Sequence, residues 1–218
     1  MHRYFIKTPW WLKKIFPNYI WNFSQKEAAV YLTFDDGPHP EITTWVMDEL
    51  KKYNAHATFF CIGKNVERHR SIYERIVEEG HGVGNHTYNH LNAWKASAQQ
   101  YERDIQEAAA FITSSLFRPP YGRIRSSNVE GIRKTLGDEA RIIMWDVLSA
   151  DFDNSFTPEQ CLQHVLKNSV PGSIIVFHDS EKAYKNLRYA LPLVLENFEK
   201  RGYTFEKIKQ KMNREVYK

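Results

Sequence analysis

Thr33-Phe34-Asp35-Asp36-Gly37-Pro38 is the stretch whose reading decides this chain. It follows Ala28-Ala29-Val30-Tyr31-Leu32, an apolar run of the length expected for a buried strand. Two adjacent carboxylates stand at the strand's C-terminal end, and Gly-Pro turns the chain at once. Neighbouring strand residues point to opposite faces, so two such Asp side chains can do different work. One can bind a cation while the other handles a proton. Asp, Gly and Pro are also ordinary turn residues, and most Asp-Gly turns only turn, so the six residues alone read first as a surface turn. The rest of the chain has to decide.

Working outward, strand-like and helix-like segments alternate. The periodicity predicts a helix over 41–54, with Ile42, Trp45, Val46 and Leu50 as its apolar stripe and Pro40 at its start. A strand over 57–62 follows, then a helix over 66–79 ending at Gly80. The pattern continues with a strand over 81–85, a helix over 97–115, a strand over 116–118 cut off by Pro119-Pro120, and a helix over 129–136. Next come a strand over 141–147, a helix over 157–167 with Thr157 as N-cap and Pro158 at its first position, a strand over 173–177, a helix over 183–200 and a short strand over 203–205. This is an α/β pattern of about seven strands, expected to form a closed or nearly closed parallel barrel. An open doubly wound sheet would show a similar pattern, but no GxGxxG follows the first strand to support a dinucleotide site.

Composition narrows the function classes. At 218 residues one domain with a sizeable core is expected, and 42% hydrophobic with 14% aromatic residues argues against disorder. Thirty basic against 26 acidic residues leave +4, and the cations are scattered, so nucleic acid is not an expected partner. Cys61 and Cys161 lack CxxC spacing and are expected as two buried thiols. Residues 1–26 are aromatic and basic, with Lys7, Trp10, Trp11, Lys13, Lys14, Phe16 and Trp21. They contain neither a signal-peptide apolar core nor a membrane span, leaving a cytoplasmic location as the default. Two readings of the segment stand: a lid or bottom plug packed on the domain, or interfacial membrane contact through Trp and Lys.

Polar residues gather after the strands: Asp35-Asp36, His86 to His90, Arg118, Asp146 to Asp151, and His178-Asp179. In a parallel barrel the strands' C-terminal ends form one face, so these groups are expected at one mouth. His86 and His90, four apart, would share a face on a helical turn. With Asp36 they make a two-His, one-Asp ligand set with open positions. Such N and O ligands suit Zn²⁺, and also Co²⁺, Mn²⁺, Ni²⁺ or Fe²⁺.

Thr33-Phe34-Asp35-Asp36-Gly37, His86-xxx-His90, Arg118-Pro119-Pro120-Tyr121-Gly122, Asp146 to Phe152, and Ile175-Val176-Phe177-His178-Asp179 resemble, in order, five motifs of the polysaccharide deacetylase family. These are the NodB-type deacetylases, carbohydrate esterase family 4. The resemblance covers about residues 29–205, so the chain divides into a segment over 1–26 packed on a deacetylase domain over 27–218. It implies a distorted (β/α) barrel and a metal-dependent hydrolase that removes N-acetyl groups from N-acetylglucosamine-type units of a polysaccharide or oligosaccharide.

By the same resemblance, Asp36, His86 and His90 hold the metal, Asp35 is the catalytic base and His178 the catalytic acid. Arg118 pairs with Asp35, Asp151 tunes His178, and the Tyr121 backbone N–H helps form the oxyanion hole. Phe152, Phe177, Pro119 and Pro120 are candidate walls of the acetyl pocket. The sequence departs from the family pattern where Trp commonly follows the counterpart of Asp151, here Phe152, and where Leu commonly precedes the counterpart of His178, here Phe177. Both swaps keep apolar surface and put the exact substrate in question. Two competing readings keep the fold: an amidohydrolase of a small amide, cyclic imide or ureide, and a non-catalytic carbohydrate-binding module. His39 is expected in a loop, and His56, His69 and His81 as structural residues. Asp146 and Asp179 are either second partners of the site or plain polar strand ends.

Overall fold

The computed structural model describes residues 4–210. In chain order its elements are α1 (Trp10–Ile15), β1 (Ala29–Asp35), α2 (Ile42–Lys51), β2 (Thr58–Cys61), α3 (Gly63–Arg68), α4 (Arg70–Glu78), β3 (Gly82–Asn85), α5 (Ala98–Ala109), β4 (Leu116–Phe117), α6 (Asn128–Leu136), β5 (Arg141–Ile142), β6 (Val147–Leu148), α7 (Pro158–Asn168), β7 (Ile174–His178), α8 (Tyr184–Lys200) and β8 (Thr204–Phe205). The sheet order is β5-β4-β3-β2-β1-β7-β6, with β8 against the first residues of β1. Every pairing between these strands is parallel. The result is the distorted (β/α) barrel of parallel strands that the motifs implied.

Side-chain parity organises the barrel. Along β1, Val30, Leu32 and Phe34 face the helices and join one large core with Met47, Leu50, Leu191 and Phe198. Burying each such side chain contributes about 1.5–3 kcal/mol. The alternate residues face inward: Tyr31 packs on Phe23, and the Thr33 hydroxyl and Asp35 carboxylate meet Arg118. Helix starts are fixed locally. Ser97 with Gln100, and Thr157 with Gln160, form reciprocal capping boxes at α5 and α7.

Two elements differ from the periodicity. The helix expected over 66–79 is two helices, α3 and α4, broken at His69 (φ −126°, ψ 48°). The strand expected over 141–147 is also two, β5 and β6, at opposite edges of the sheet. Between them the carbonyls of Ile143 and Met144 accept from Arg118 Nε (3.2 Å) and Nη2 (3.0 Å). Those carbonyls hold the buried guanidinium between the two edges.

The N-terminal segment spans those edges. Thr8 N–H donates to Asp146 O and Leu148 N–H to Ile6 O, so this stretch runs antiparallel beside β6. Ile20 then pairs with Ile143 in parallel, and Asn22 lies opposite Ser173. Ile20 and Phe23 are buried inside the base of the barrel with Phe60, Leu116, Ile143 and Ile174, and Trp21 is buried against α5 and α6. Asp146 sits at this base, not at the mouth. It precedes β6, its N–H donates to Ile174 O, and its carboxylate pairs with Lys7 and Lys13, each at 2.6 Å. Both cysteines are free and buried. Among the described residues no helix is long and apolar enough to cross a membrane.

Candidate active site

Six strand ends converge on one cleft of about 620 Å³. Asp35 ends β1, with Asp36 just beyond it at φ 83°. That left-handed conformation is tolerated by Asp, and it turns the chain so that both carboxylates line the same cavity despite being adjacent. Gly37 follows because the Asp179 carboxylate packs against it. A Cβ there would lie 2.0 Å from Asp179 Oδ2. The Gly37 N–H and the Thr43 hydroxyl both donate to that carboxylate. Burial raises Asp179 to about 7. Asp179 thus braces the turn that carries the aspartates.

The two aspartates have different neighbours. Asp35 Oδ1 accepts from Arg118 Nη1 at 2.7 Å, and Arg118 is fully buried. The guanidinium also donates to Thr33 Oγ1 (2.7 Å) and lies 4.0 Å from the Phe60 ring centroid. Burial lowers the Arg118 pKa, and Asp35 counters that shift. Asp36 faces histidines instead. Its Oδ1 lies 3.7 Å from His86 Nε2 and 3.3 Å from His90 Nε2, and it is buried without a hydrogen-bond partner. Two ligands bound tetrahedrally at 2.0–2.1 Å to one ion sit about 3.4 Å apart. The orphaned oxygen and the two imidazole nitrogens therefore match the spacing of ligands around a divalent cation. The three donor atoms lie within 4.8 Å of one another. His86 Nδ1 is 2.7 Å from Arg118 O. A carbonyl can only accept, so Nδ1 carries the proton and Nε2 presents its lone pair to the ion position.

The histidines do not lie on a helical turn, as their spacing alone suggested. Residues 86–90 form a loop, with φ 62° at Thr87 and 56° at His90. Polar groups divert the backbone from a helix. Asn85 Oδ1 accepts from Thr87 N–H, while the Asp104 carboxylate accepts from the Tyr88 and Asn89 N–H groups and from the Asn89 side chain. The loop still brings the His86 and His90 rings to 5.1 Å. Burial, then His86, lowers His90 to about 4, leaving its imidazole neutral and able to ligate at neutral pH.

His178 closes the far side of the cleft. Its Nδ1 lies 2.8 Å from Asp151 Oδ1, and its backbone N–H donates to Asp151 Oδ2 at 2.8 Å. Burial alone would depress this histidine, but Asp151 outweighs it and raises the imidazole to about 9. The Asn186 side chain donates to the Asp151 carbonyl and holds that loop in place. Tyr121 sits in a 3₁₀ turn (Pro120–Gly122) at φ 61°, its ring 4.6 Å from that of His90.

Of the expected pocket walls, Phe152 and Pro119 line the cleft, Phe152 packing edge-on to His178 at 4.9 Å. Phe177 does not line it. On β7, His178 points inward, so Phe177 points to the helices, 6.0 Å from Phe34 in the main core. Val176 takes the wall position. Pro120 is buried and does not line the cleft. Sequence reasoning missed Leu148 and Val176, which strand parity could have found, and also Trp145, Arg123, Lys182 and Tyr4. Tyr4 arrives from the N-terminal segment, its ring 5.4 Å from Phe152 and its hydroxyl on Asp153. His81 lies elsewhere, accepting from Ala57 N–H, and burial drops it to about 4.

A parallel barrel with an Asp-His-His ligand set between an arginine-held carboxylate and a charged histidine defines a hydrolase class. The chain belongs to the polysaccharide deacetylase family, hydrolases of carbon–nitrogen bonds. The family model "Polysaccharide deacetylase" matches residues 23–139. A peptidoglycan-N-acetylglucosamine deacetylase from Bacillus cereus is 36% identical over 190 residues, 85% of this chain and 88% of its own. A chitooligosaccharide deacetylase from Azorhizobium caulinodans is 33% identical, over 72% of this chain and 76% of its own. The crystal structure of a peptidoglycan N-acetylglucosamine deacetylase superposes with a TM-score of 0.81 at 30% identity, covering 92% of this chain and 95% of that one.

Proposed function

We propose that this chain is a metal-dependent deacetylase that hydrolyses the N-acetyl group of N-acetylglucosamine-type units in a polysaccharide or oligosaccharide. The observation that carries the reading is the division of labour between adjacent carboxylates: Asp35 is locked to Arg118, while Asp36 Oδ1 faces His86 and His90 with no hydrogen bond of its own. Asp36, His86 and His90 hold a divalent ion, Zn²⁺ first among Zn²⁺, Co²⁺, Mn²⁺, Ni²⁺ and Fe²⁺. The ion supplies Lewis acidity toward the acetyl carbonyl and acidifies the attacking water.

The chain's own groups do the rest. Asp35 takes the proton of the water that adds to the acetyl carbon, and Arg118 holds that carboxylate in place. The Tyr121 backbone N–H donates to the oxyanion as the carbonyl carbon becomes tetrahedral. His178 gives its proton to the amide nitrogen as the C–N bond breaks, so acetate and the free amine leave. Val176, Phe152 and Leu148 give the acetyl methyl an apolar wall, and Tyr4 extends that wall from the N-terminal segment.

The test is acetate release from N-acetylglucosamine oligosaccharides and from peptidoglycan. Release is expected to stop on chelation and to return with Zn²⁺ or Co²⁺. Turnover of small cyclic amides with none of the oligosaccharides would contradict the substrate assignment, and sugar binding without turnover at saturating metal would contradict the catalytic one.

A further inference from the structure

From the base of the barrel up the edge beside β6, the protein carries a surface that the chemistry at the mouth does not use. Trp10 is 68% exposed, Ile15 59%, Phe5 52% and Trp11 45%. All four are large and apolar, and they fall within a stretch of eleven residues. Helical geometry explains how α1 presents them. At about 100° per residue, positions 10, 14, 11 and 15 fall within an arc of about 140°. Leu12 and Lys13 fall on the other side, where Leu12 packs on the core beneath α1 and Lys13 binds Asp146 and Asn22. Trp10, Trp11, Lys14 and Ile15 therefore form one outward face, with Lys14 Nζ 4.9 Å from the centroid of the Trp10 ring. Phe5 packs edge-on to Trp11 at 6.3 Å and widens the patch.

Charge selects the occupant. The sequence has no Asp or Glu before Glu27; Lys7 and Lys13 are held by Asp146, and Lys14 is the exposed cation on this face of α1. A groove of about 410 Å³ opens beside the patch, between Ile15 and Phe16 on one side and Val129, Ile132 and Arg133 of α6 on the other. Its walls mix apolar side chains with Asn18, Ser126 and Arg133, the last a cation. Exposed Trp with Lys, no carboxylate among residues 1–26 and an adjoining mixed groove with an Arg match the interface of an anionic bilayer: rings at headgroup depth, ammonium and guanidinium on lipid phosphates.

We propose that α1 docks this protein, base first, on an anionic lipid bilayer surface. The fold sets the orientation. Lys13 binds Asp146, which pairs with Ile174 at the entry of β7, and His178 stands at its exit. Four residues of strand separate them, roughly 13 Å at 3.3 Å per residue. The cleft thus opens away from the bilayer, toward polymer lying outside the lipid headgroups.

The experiment is co-sedimentation of the full chain with vesicles of phosphatidylglycerol and phosphatidylcholine in equal parts, beside vesicles of phosphatidylcholine alone. Binding to the anionic vesicles only, weakening with salt, is expected. Lys14→Ala is expected to weaken it about fivefold, and the triple variant Trp10→Ser/Trp11→Ser/Ile15→Ser at least about tenfold. An unchanged thermal midpoint of each variant establishes that it is folded. No sedimentation with anionic vesicles, or equal sedimentation of the folded triple variant, would overturn the proposal. So would a lipid-independent dimer in sedimentation velocity that the triple variant abolishes, because the patch would then join two copies of this chain.

Discussion

His178 holds its proton chiefly through Asp151, with Asp36 and Asp35 adding to it. Asp151 accepts from both the ring Nδ1 and the backbone N–H of the same residue, so the imidazole is oriented and charged together. Burial works against the charged form, and the Asp151 carboxylate overcomes it, giving a value of about 9. The sign follows directly. A general acid is competent below its pKa, so deacetylation is expected to fall as pH rises through that of His178. A divalent ion held by Asp36, His86 and His90 repels the imidazolium, which places the limb below pH 9. Asp151→Asn removes the charge that raises this histidine and is expected to move the basic limb to lower pH, with kcat reduced and metal content unchanged. A pH–rate profile of the two proteins checks this, and an unmoved limb would separate Asp151 from the acid. This pair was legible in sequence only through motif resemblance, because 27 residues separate its members. Asp179 was not legible as a brace, since nothing in its position announces the Gly37 contact.

At the scale of elements, β7 shows what alternation decides. The apolar run before His178 marked a strand, but it did not reveal which apolar residues touch substrate. Once His178 points inward, Val176 must point inward with it and Phe177 must point to the helices. The motif comparison put Phe177 in the pocket, whereas the period of the strand excludes it. Phe177→Ala is therefore expected to cost about 3–5 kcal/mol of stability by opening a core cavity. Its KM should change little, as read by denaturant unfolding and by kinetics on a soluble oligosaccharide. Val176→Phe should do the reverse, lowering kcat/KM with a smaller loss of stability. Helix boundaries with strong local signals, such as Ser97 and Thr157 at their caps, were readable from sequence. The break at His69 and the splitting of the strand over 141–147 were not. The second depends on Arg118 drawing in two carbonyls, a contact between residues 25 and 26 positions apart.

For the whole molecule, the N-terminal segment does three jobs that its composition could only bracket. Tyr4 reaches the cleft, residues 6–8 pair with the edge at β6, and Ile20 and Phe23 fill the barrel's base. The aromatic content suggested burial, but the structure divides it. Trp21 and Phe23 are inside, while Phe5, Trp10 and Trp11 are outside. That division depends on where the open edge between β5 and β6 lies, which local sequence does not encode. Asp146 shows the same limit. It stands among mouth residues in sequence and at the base in space, because a strand crossing intervenes. Phe23→Ala is expected to cost about 3–5 kcal/mol. In a chain of this size that lowers the thermal midpoint by roughly 6–20 °C. Differential scanning calorimetry checks it, and a shift under a degree or two would mean that the base does not need its plug.

The central claim is that two adjacent carboxylates at one strand exit hold different offices, Asp36 on the metal and Asp35 on the proton. The most direct measurement is paired metal content and acetate release for Asp35→Asn and Asp36→Asn, purified alike and reloaded with Zn²⁺. Asp35→Asn is expected to keep about one equivalent of metal while losing roughly 10²–10⁴ in rate. Asp36→Asn is expected to lose the metal and the activity together. An Asp35→Asn protein that turns over normally, or one that cannot hold metal while Asp36→Asn can, would contradict the assignment.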